Sequence, residues 1–223
     1  MRILKIMMAT TAALALTACS ASEAKPESNA EASHPTHSHD AEQNINVPTH
    51  GPLAVPSGNY TMDKTHGYVT FSYLHKGLSH PQLRFNDVDA TLVLDAENPE
   101  NSQITVTIQA ANIDSGVAKF DDHLNSPDFF NSAVNPKITF TSTSFTRASA
   151  TTGTMRGELS MMGVSKTINF DVELIGTAEG EAPAIGVEGR TKLLRSEFGL
   201  GKYVPYVGDE VSITISAEFH KNK

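Results

Sequence analysis

The sequence contains a single cysteine, Cys19, and fewer basic than acidic residues. There are 17 lysines and arginines against 25 aspartates and glutamates, which gives a formal net charge of −8 at pH 7. One cysteine has no partner in the chain, so an internal disulfide is excluded. The acidic balance argues against binding to nucleic acid, whose phosphates require a basic surface, and against docking on anionic lipid headgroups.

Sequence signatures of common catalytic sites are also missing. The chain has no nucleophile elbow, phosphate-binding loop or cysteine-rich metal site, and neither Ser160 nor Ser165 has an evident base beside it. The apolar run Ile6–Leu16 is too short to span a membrane comfortably. We therefore expect a protein that is not an enzyme and carries no cofactor.

The N-terminus has the composition of an export signal. Arg2 and Lys5 precede the apolar run, which ends in Leu-Thr-Ala-Cys at residues 16–19. This ending resembles the lipobox of bacterial lipoproteins, in which the signal is removed before the cysteine and the new N-terminus is acylated. We expect Cys19 to carry this lipid, palmitate included. Because Ser20 follows it, we expect an anchor in the outer membrane, on the periplasmic side. An ordinary secretory signal with a chance cysteine is the alternative.

Three parts of the chain are expected. Residues 1–18 are the signal, and residues 19–56 form a disordered tether rich in Ser, Ala, Glu, Asn and Pro. The tether contains a group of histidines that could hold zinc, copper or nickel weakly. These histidines are His34, His37 and His39. A solvated linker without metal explains the same composition. Residues 57–223 have a length suited to one folded domain.

From residue 57 onward, apolar and polar residues alternate as they do in half-buried strands. Clear examples are Val88–Leu94, Met155–Met161, Ile168–Leu174 and Val211–Phe219. The connections are short, which favours antiparallel neighbours. About eight long strands result, and a sheet of that size either closes into a barrel with room for one small ligand or forms a solid two-sheet sandwich. The pattern alone leaves both architectures open.

A short helical insert interrupts the strands. Asp114 or Ser115 is expected to cap the helix, and Val117, Phe120 and Leu124 fall on one face at helical spacing. In an all-β shell, such an insert is a natural lid for an opening. We therefore expect the ligand to bind beneath it.

The insert is expected to end at Pro127, which stops the helix before the apolar pair Phe129 and Phe130. Strand alternation then resumes and slips between Phe140 and Phe145. This slip predicts a bulge or a bend in the strand.

Five fragments of the sequence, in order, resemble the motifs of the YceI-like proteins of the bacterial periplasm. Residues 63–75 are similar to the opening signature D-x-x-H…V-x-F-x-x-x-H, and residues 121–140 to D-x-H-L…D-F-F…P-x-I-x-F. Residues 157–165 resemble the hairpin motif G-x-L-x-x-x-G-V-[ST]. Residues 195–200 and 207–211 are similar to the closing motifs.

The resemblance implies an all-β fold, an extended lipocalin-like antiparallel β-barrel with the short helical insert over one end. The resemblance favours the barrel over the sandwich. It also implies a hydrophobic tunnel for long isoprenoid or other fatty chains. The expected function is thus a non-enzymatic binding or carrier protein for an amphiphilic isoprenoid-type lipid, quinone-like or polyprenyl, in the periplasm. Membrane contact is expected through the acyl anchor alone. The sequence leaves open whether the protein forms a homodimer.

Two positions depart from the family pattern. Phe120 stands where the family often has an arginine, and Leu83 where it often has a glycine. Losing the arginine removes a natural partner for a phosphate group. We therefore expect a neutral or weakly polar head group, such as a quinone, over a pyrophosphate. Lys119, Arg195 and Lys202 could still compensate.

The residues expected to bind the ligand lie on the inward strand faces and on the insert. They are Val69, Phe71, Tyr73, His75, Phe120, His123, Phe129, Phe130, Phe140 and Phe198. His75 is expected under the lid, where it either contacts the ligand head or forms a structural hydrogen bond. His123 has carboxylates beside it, as a general base would, although histidines on helix surfaces are common.

Two other functions stay open at this point. One is a metal-handling or stress-response lipoprotein that acts through the histidines of the tether, with the barrel as a scaffold. The other is an enzyme that acts on the bound chain, for which the sequence offers no positive sign.

Overall fold

The computed structural model describes residues 51–223. The predicted signal, the lipidation of Cys19 and the metal ligands His34, His37 and His39 lie outside the described residues and stay predictions. Within residues 51–223, no helix combines the length and the apolar character needed to cross a membrane.

The described residues form ten strands and one α-helix. The strands are β1 (Gly58–His75), β2 (Gln82–Phe85), β3 (Val88–Leu94), β4 (Gln103–Gln109), β5 (Ile113–Asp114), β6 (Lys137–Arg147), β7 (Thr152–Met161), β8 (Val164–Ala178), β9 (Ala184–Leu194) and β10 (Val207–Lys221). The helix α1 (Ala118–Asn125) lies between β5 and β6. Short 3₁₀ turns occur at Pro99–Asn101, Ala110–Asn112 and Arg195–Phe198.

The strands form a closed antiparallel barrel, as expected. The hydrogen-bonded order runs β10-β9-β8-β7-β6-β4-β3-β1, and β1 pairs back onto β10 to close a ring of eight strands. On its other side, β1 pairs with β3 along residues 58–61 and with β2 along residues 69–72. The short strands β2 and β5 therefore extend the wall beside the second half of β1. Closure removes exposed sheet edges from the ring.

The predicted alternation determines which side chains face inward. In β3 the residues from Val88 to Leu94 alternate strictly between buried and exposed, because successive side chains of a strand point to opposite faces. The predicted irregularity after Phe140 is confirmed: the pairing of β6 with β7 shifts register between Ser142 and Ser144. The ring of Phe140 lies over Gly157, where an added Cβ would come within 2.3 Å of it.

One end of the barrel has a packed core. Tyr60, at the start of β1, has no exposed surface, and its hydroxyl donates a hydrogen bond to the Pro56 carbonyl at 2.7 Å. Val55 is buried beside this core, and the Leu53 amide donates to the Ala96 carbonyl at 2.7 Å. Packing against the barrel thus begins before residue 57, within the segment expected to be a disordered tether.

Helix α1 is capped differently from the prediction. Its N-cap is Val117, which makes no side-chain cap hydrogen bond and is 58% exposed, so neither Asp114 nor Ser115 is the cap and Val117 does not share the buried face. Instead, the Asp121 carboxylate accepts hydrogen bonds from the amide and the hydroxyl of Ser115, at 2.8 and 2.6 Å. Because this carboxylate reaches back to the residues before the first turn, it fixes the entry of the chain. The helix ends before Pro127, as expected.

Candidate functional site

Beyond the packed end, the interior of the barrel is hollow. It contains a cavity of about 610 Å³, within the range of sites that bury one small ligand. Inward faces of all the ring strands line it, and α1 lines it at one end. Met62, Leu92 and Phe219 form the lining nearest the packed core.

Aromatic rings form much of the wall. Phe71 stacks on Phe85 with ring centroids 5.4 Å apart, and Phe130 meets the edge of Phe85 at 5.8 Å. On the opposite side, Phe140 and Phe170 make an edge-to-face pair at 5.2 Å. Such pairs hold the rings in defined orientations, so the wall is preformed.

The structure brings nearly all the predicted ligand-binding residues together. Those that line the cavity are Val69, Phe71, Tyr73, His75, Phe120, His123, Phe129, Phe130 and Phe140. Phe198 is not among the lining residues. It lies in the 3₁₀ turn after β9 and is only 1% exposed, so it packs in the hydrophobic core. A turn has no strand periodicity, and the sequence pattern therefore could not place this side chain.

Two segments cover the same end of the cavity. The first is the insert, which contributes Phe120 and Phe129. The second, here called the closing segment, is residues 199–206 between the 3₁₀ turn and β10, and it contributes Tyr203 and Tyr206. The rings of Phe129 and Tyr203 are 6.2 Å apart. An exposed ion pair between Asp128 and Lys202 joins the two segments.

Polar side chains of the lining gather at this covered end. His75 and Tyr73 lie at the end of β1, where His75 pairs with Val207, and the adjacent Lys76 amide donates to the Tyr206 carbonyl at 3.0 Å. His123 joins them from α1, its ring 5.0 Å from that of Phe129. Burial raises the pKa of the Tyr73 hydroxyl, so it stays protonated at neutral pH and can donate a hydrogen bond. The cavity is therefore apolar along its length and polar at its covered end.

Arg195 anchors the closing segment from inside. The side chain is buried, and burial lowers the pKa of its guanidinium group. Its Nε donates to the Gly208 carbonyl at 2.9 Å, Nη2 to the Val207 carbonyl at 2.9 Å, and Nη1 to the carbonyls of Lys202, at 3.0 Å, and Leu200. Every guanidinium nitrogen thus has a backbone partner.

Part of the site was missed by sequence reasoning. The missed residues at the covered end are Lys76, Leu200, Tyr203, Tyr206 and Val207. The first four lie in connections between strands and Val207 is the first residue of β10, so no periodicity marks their inward face. The two tyrosines on either side of Val204-Pro205 were the available signal, since loops on a rigid scaffold often carry binding residues.

Residues 60–219 match the family model described as the YceI-like domain. A UPF0312 protein of Azotobacter vinelandii is 36% identical over 168 residues, which cover 73% of this chain and 86% of that relative. The chain belongs to the YceI-like family.

Two solved structures share the barrel. The Campylobacter jejuni YCEI protein superposes with a TM-score of 0.61 at 27% identity, covering 66% of this chain and 88% of that one. A structure described as a polyisoprenoid binding domain from Saccharophagus degradans gives a TM-score of 0.58 at 12% identity, covering 73% of this chain and 98% of that one. At 12% identity, the similarity to the Saccharophagus degradans domain shows a shared fold alone.

Proposed function

We propose that this YceI-like protein is a non-enzymatic carrier of one amphiphilic isoprenoid-type lipid. The observation that carries the proposal is the cavity: an apolar interior of about 610 Å³ with its polar groups at one covered end. A lipid chain fits the apolar part, and its head group lies beside Tyr73, His75 and His123. The description of the Saccharophagus degradans domain as polyisoprenoid-binding supports this ligand class.

Hydrocarbon burial is sufficient to hold such a ligand without any covalent step. Each buried CH₂ contributes about 0.8 kcal/mol, so one isoprene unit contributes a few kcal/mol before ordering costs. The lining residues of the described chain include no serine, threonine or cysteine. His123 therefore has none of these three common nucleophiles beside it in the cavity, which supports binding over catalysis.

The head group in this proposal is neutral or weakly polar, as in a quinone. Arg195 is committed to backbone carbonyls, and Lys202 is committed to Asp128, so neither offers the guanidinium fork or free ammonium that a phosphate prefers. Lys119 is exposed on α1, and Lys76, the remaining basic side chain at the covered end, is also exposed. The imidazoles of His75 and His123 and the Tyr73 hydroxyl are suitable partners for a quinone carbonyl.

We further propose that the carrier works on the periplasmic side of the envelope, attached to the outer membrane by acyl groups on Cys19. The support is the lipobox-like sequence at residues 16–19. Labelled palmitate should enter the wild-type protein in its host and should be absent from a Cys19→Ser variant. Equal labelling of both proteins would exclude this anchor.

The ligand is best identified from protein purified from its own host. Native mass spectrometry should show one bound molecule per chain, and organic extraction should release an isoprenoid-type lipid. Competition between a quinone and a polyprenyl phosphate of equal chain length then tests the head group, and we expect the quinone to bind more tightly. A protein that is purified empty and binds neither lipid would overturn the carrier function; preference for the phosphate would overturn only the neutral head.

Lid opening should depend on the ion pair between Asp128 and Lys202. A Lys202→Met variant should release lipid faster than wild type, by no more than about five-fold, because exposed ion pairs contribute little. The control is Lys192→Met, which removes an exposed pair with Glu210 on the barrel wall and should leave release unchanged. Stopped-flow transfer of a fluorescent lipid to vesicles measures the rate.

The same ion pair gives release a pH dependence. The hydrogen bond from Lys202 lowers the pKa of the Asp128 carboxyl, so the pair is fully formed above the ordinary carboxyl pKa of about 3.9 and is lost as the pH falls through the lowered value. The rate of lipid release from the wild-type protein should therefore rise in acid toward the rate of Lys202→Met, while the release rate of the variant should not change with pH. Parallel acceleration in both proteins would show that another group controls the lid.

A further inference from the structure

The first strand contains an unusual bulge that the cavity does not explain. In the pairing of β1 with β10, Met62 faces Phe219 and Gly67 faces Ala217, so the four residues 63–66 lie opposite Glu218 alone. Bulges of this kind re-aim side chains and are often found near functional sites. This one places Asp63 and His66 over the outer face of β10.

The bulge assembles imidazoles and carboxylates into one cluster. One ligand atom from each of Asp63, His66 and Glu218 lies within 4.8 Å of the others. His66 Nδ1 is 2.8 Å from Asp63 Oδ2 and 4.0 Å from Glu218 Oε2. His220 Nε2, two residues further along β10, is 3.9 Å from Asp63 Oδ2 and 4.0 Å from Glu218 Oε2.

The Asp63 carboxylate is held in orientation by its neighbour. Its Oδ1 accepts hydrogen bonds from the amide and the hydroxyl of Thr65, at 2.8 and 2.7 Å, which leaves Oδ2 directed at the two histidines. Lys64 fixes the other side of the bulge, with Nζ 2.7 Å from Asp89 on β3 and 3.3 Å from Asp87, which directly precedes that strand. Such supporting hydrogen bonds are typical of ligands in metal sites.

We propose that Asp63, His66, Glu218 and His220 bind one divalent transition metal ion, with zinc as the best match. Two imidazoles and two carboxylates are ligands that zinc accepts in a four-coordinate site. Zn–N and Zn–O bonds of about 2.0–2.2 Å place neighbouring ligand atoms about 3.3–3.6 Å apart in a tetrahedron. The four imidazole–carboxylate separations of 2.8–4.0 Å lie around this range. Asp63, His66 and Glu218 form the group whose ligand atoms all lie within 4.8 Å of one another, and a side-chain rotation of His220 toward His66 completes the site.

The site is separate from the cavity and includes none of the tether histidines. None of its four residues lines the cavity, and their side chains are 26–57% exposed on the outer face. The ion would connect β1 with β10, the pair whose hydrogen bonds close the barrel. Because a ligand that binds only the folded state stabilises it, zinc should raise the melting temperature.

Zinc titration of the full chain tests the site. The tether histidines would obscure it, so the reference protein carries asparagine at positions 34, 37, 39 and 50. Calorimetry with zinc chloride should show one site. His66→Gln or Glu218→Gln should weaken the zinc affinity at least about ten-fold. Thr65→Val should weaken it about ten-fold, because it removes the hydroxyl that orients Asp63. His80→Gln and Glu158→Gln, exposed and remote from the cluster, are the matched controls and should bind zinc as the reference does.

Two outcomes would overturn the proposal. One is a reference protein that binds no zinc at micromolar concentrations, which would assign any binding by wild type to the tether. The other is equal binding by the cluster variants and the controls. If His66→Gln does not fold, NMR of the reference protein tests the site instead. Zinc should shift the imidazole resonances of His66 and His220 and leave that of His80 unchanged.

Discussion

A Gly189→Leu substitution is expected to reduce binding of long-chain lipids about a hundred-fold or more while the barrel remains folded. Gly189 lies on β9 and lines the cavity. A Cβ added there would be 3.6 Å from Phe170 Cδ1 and 3.9 Å from Ile215 Cβ, both ordinary contact distances. The rest of the leucine side chain would extend into the space that the lipid chain needs. Losing burial of about four CH₂ groups of ligand costs about 3 kcal/mol, which is a hundred-fold or more in affinity.

The control for this variant is Lys192→Leu, which places the same side chain on the outer face of the same strand. Both variants should keep cooperative thermal unfolding, and only Gly189→Leu should show the hundred-fold loss of affinity for a fluorescent isoprenoid analogue. Near wild-type affinity in a folded Gly189→Leu protein would mean that the lipid does not occupy this part of the interior, and the proposed carrier function would then lose its main support.

An Arg195→Met substitution is expected to destabilise the protein by about 3–5 kcal/mol. The variant keeps a long side chain at the position but leaves the carbonyls of Leu200, Lys202, Val207 and Gly208 without their donor. Each buried acceptor left unpaired costs about 1–3 kcal/mol, and charged donors contribute the most. Because these carbonyls belong to the closing segment and the start of β10, the covered end of the cavity should also open.

Arg190→Met, on the strand β9 that precedes Arg195, is the matched control for Arg195→Met. Arg190 is exposed and pairs with Glu173 and Glu188 on the surface, so its loss should cost no more than about 1 kcal/mol. Urea unfolding monitored by circular dichroism measures both. If the two variants lose the same free energy, the carbonyl bonds of Arg195 contribute little, and lipid could then recruit the guanidinium group, which would favour an anionic head.

Some features of the site were predictable because they follow from local geometry. Val69, Phe71, Tyr73 and His75 share one face of β1, since alternate residues of any strand point the same way; all four line the cavity. The register slip after Phe140 was predictable for the same reason. The aromatic insert was recognisable because Phe120 and Leu124 follow helical spacing and proline follows the helix.

Other features were not predictable, and the failures occur where periodicity stops. Phe198 was expected in the cavity but packs in a turn, and Val117 was expected on the buried face of α1 but is exposed. The commitment of Arg195 to four carbonyls could not be anticipated either. Its partners depend on how residues 199–208 fold back over the strand end, and no local preference specifies that path.

The sequence by itself determined the strands, their inward and outward faces, the helical insert and the family, because backbone alternation and motif spacing are local properties. Only the tertiary structure decided that the interior is hollow at one end and packed at the other. It alone showed that Asp128 meets Lys202 and that Asp63 and His66 meet Glu218 and His220. Those contacts join residues far apart in the chain, and the closure of β1 onto β10 is what brings the cluster together.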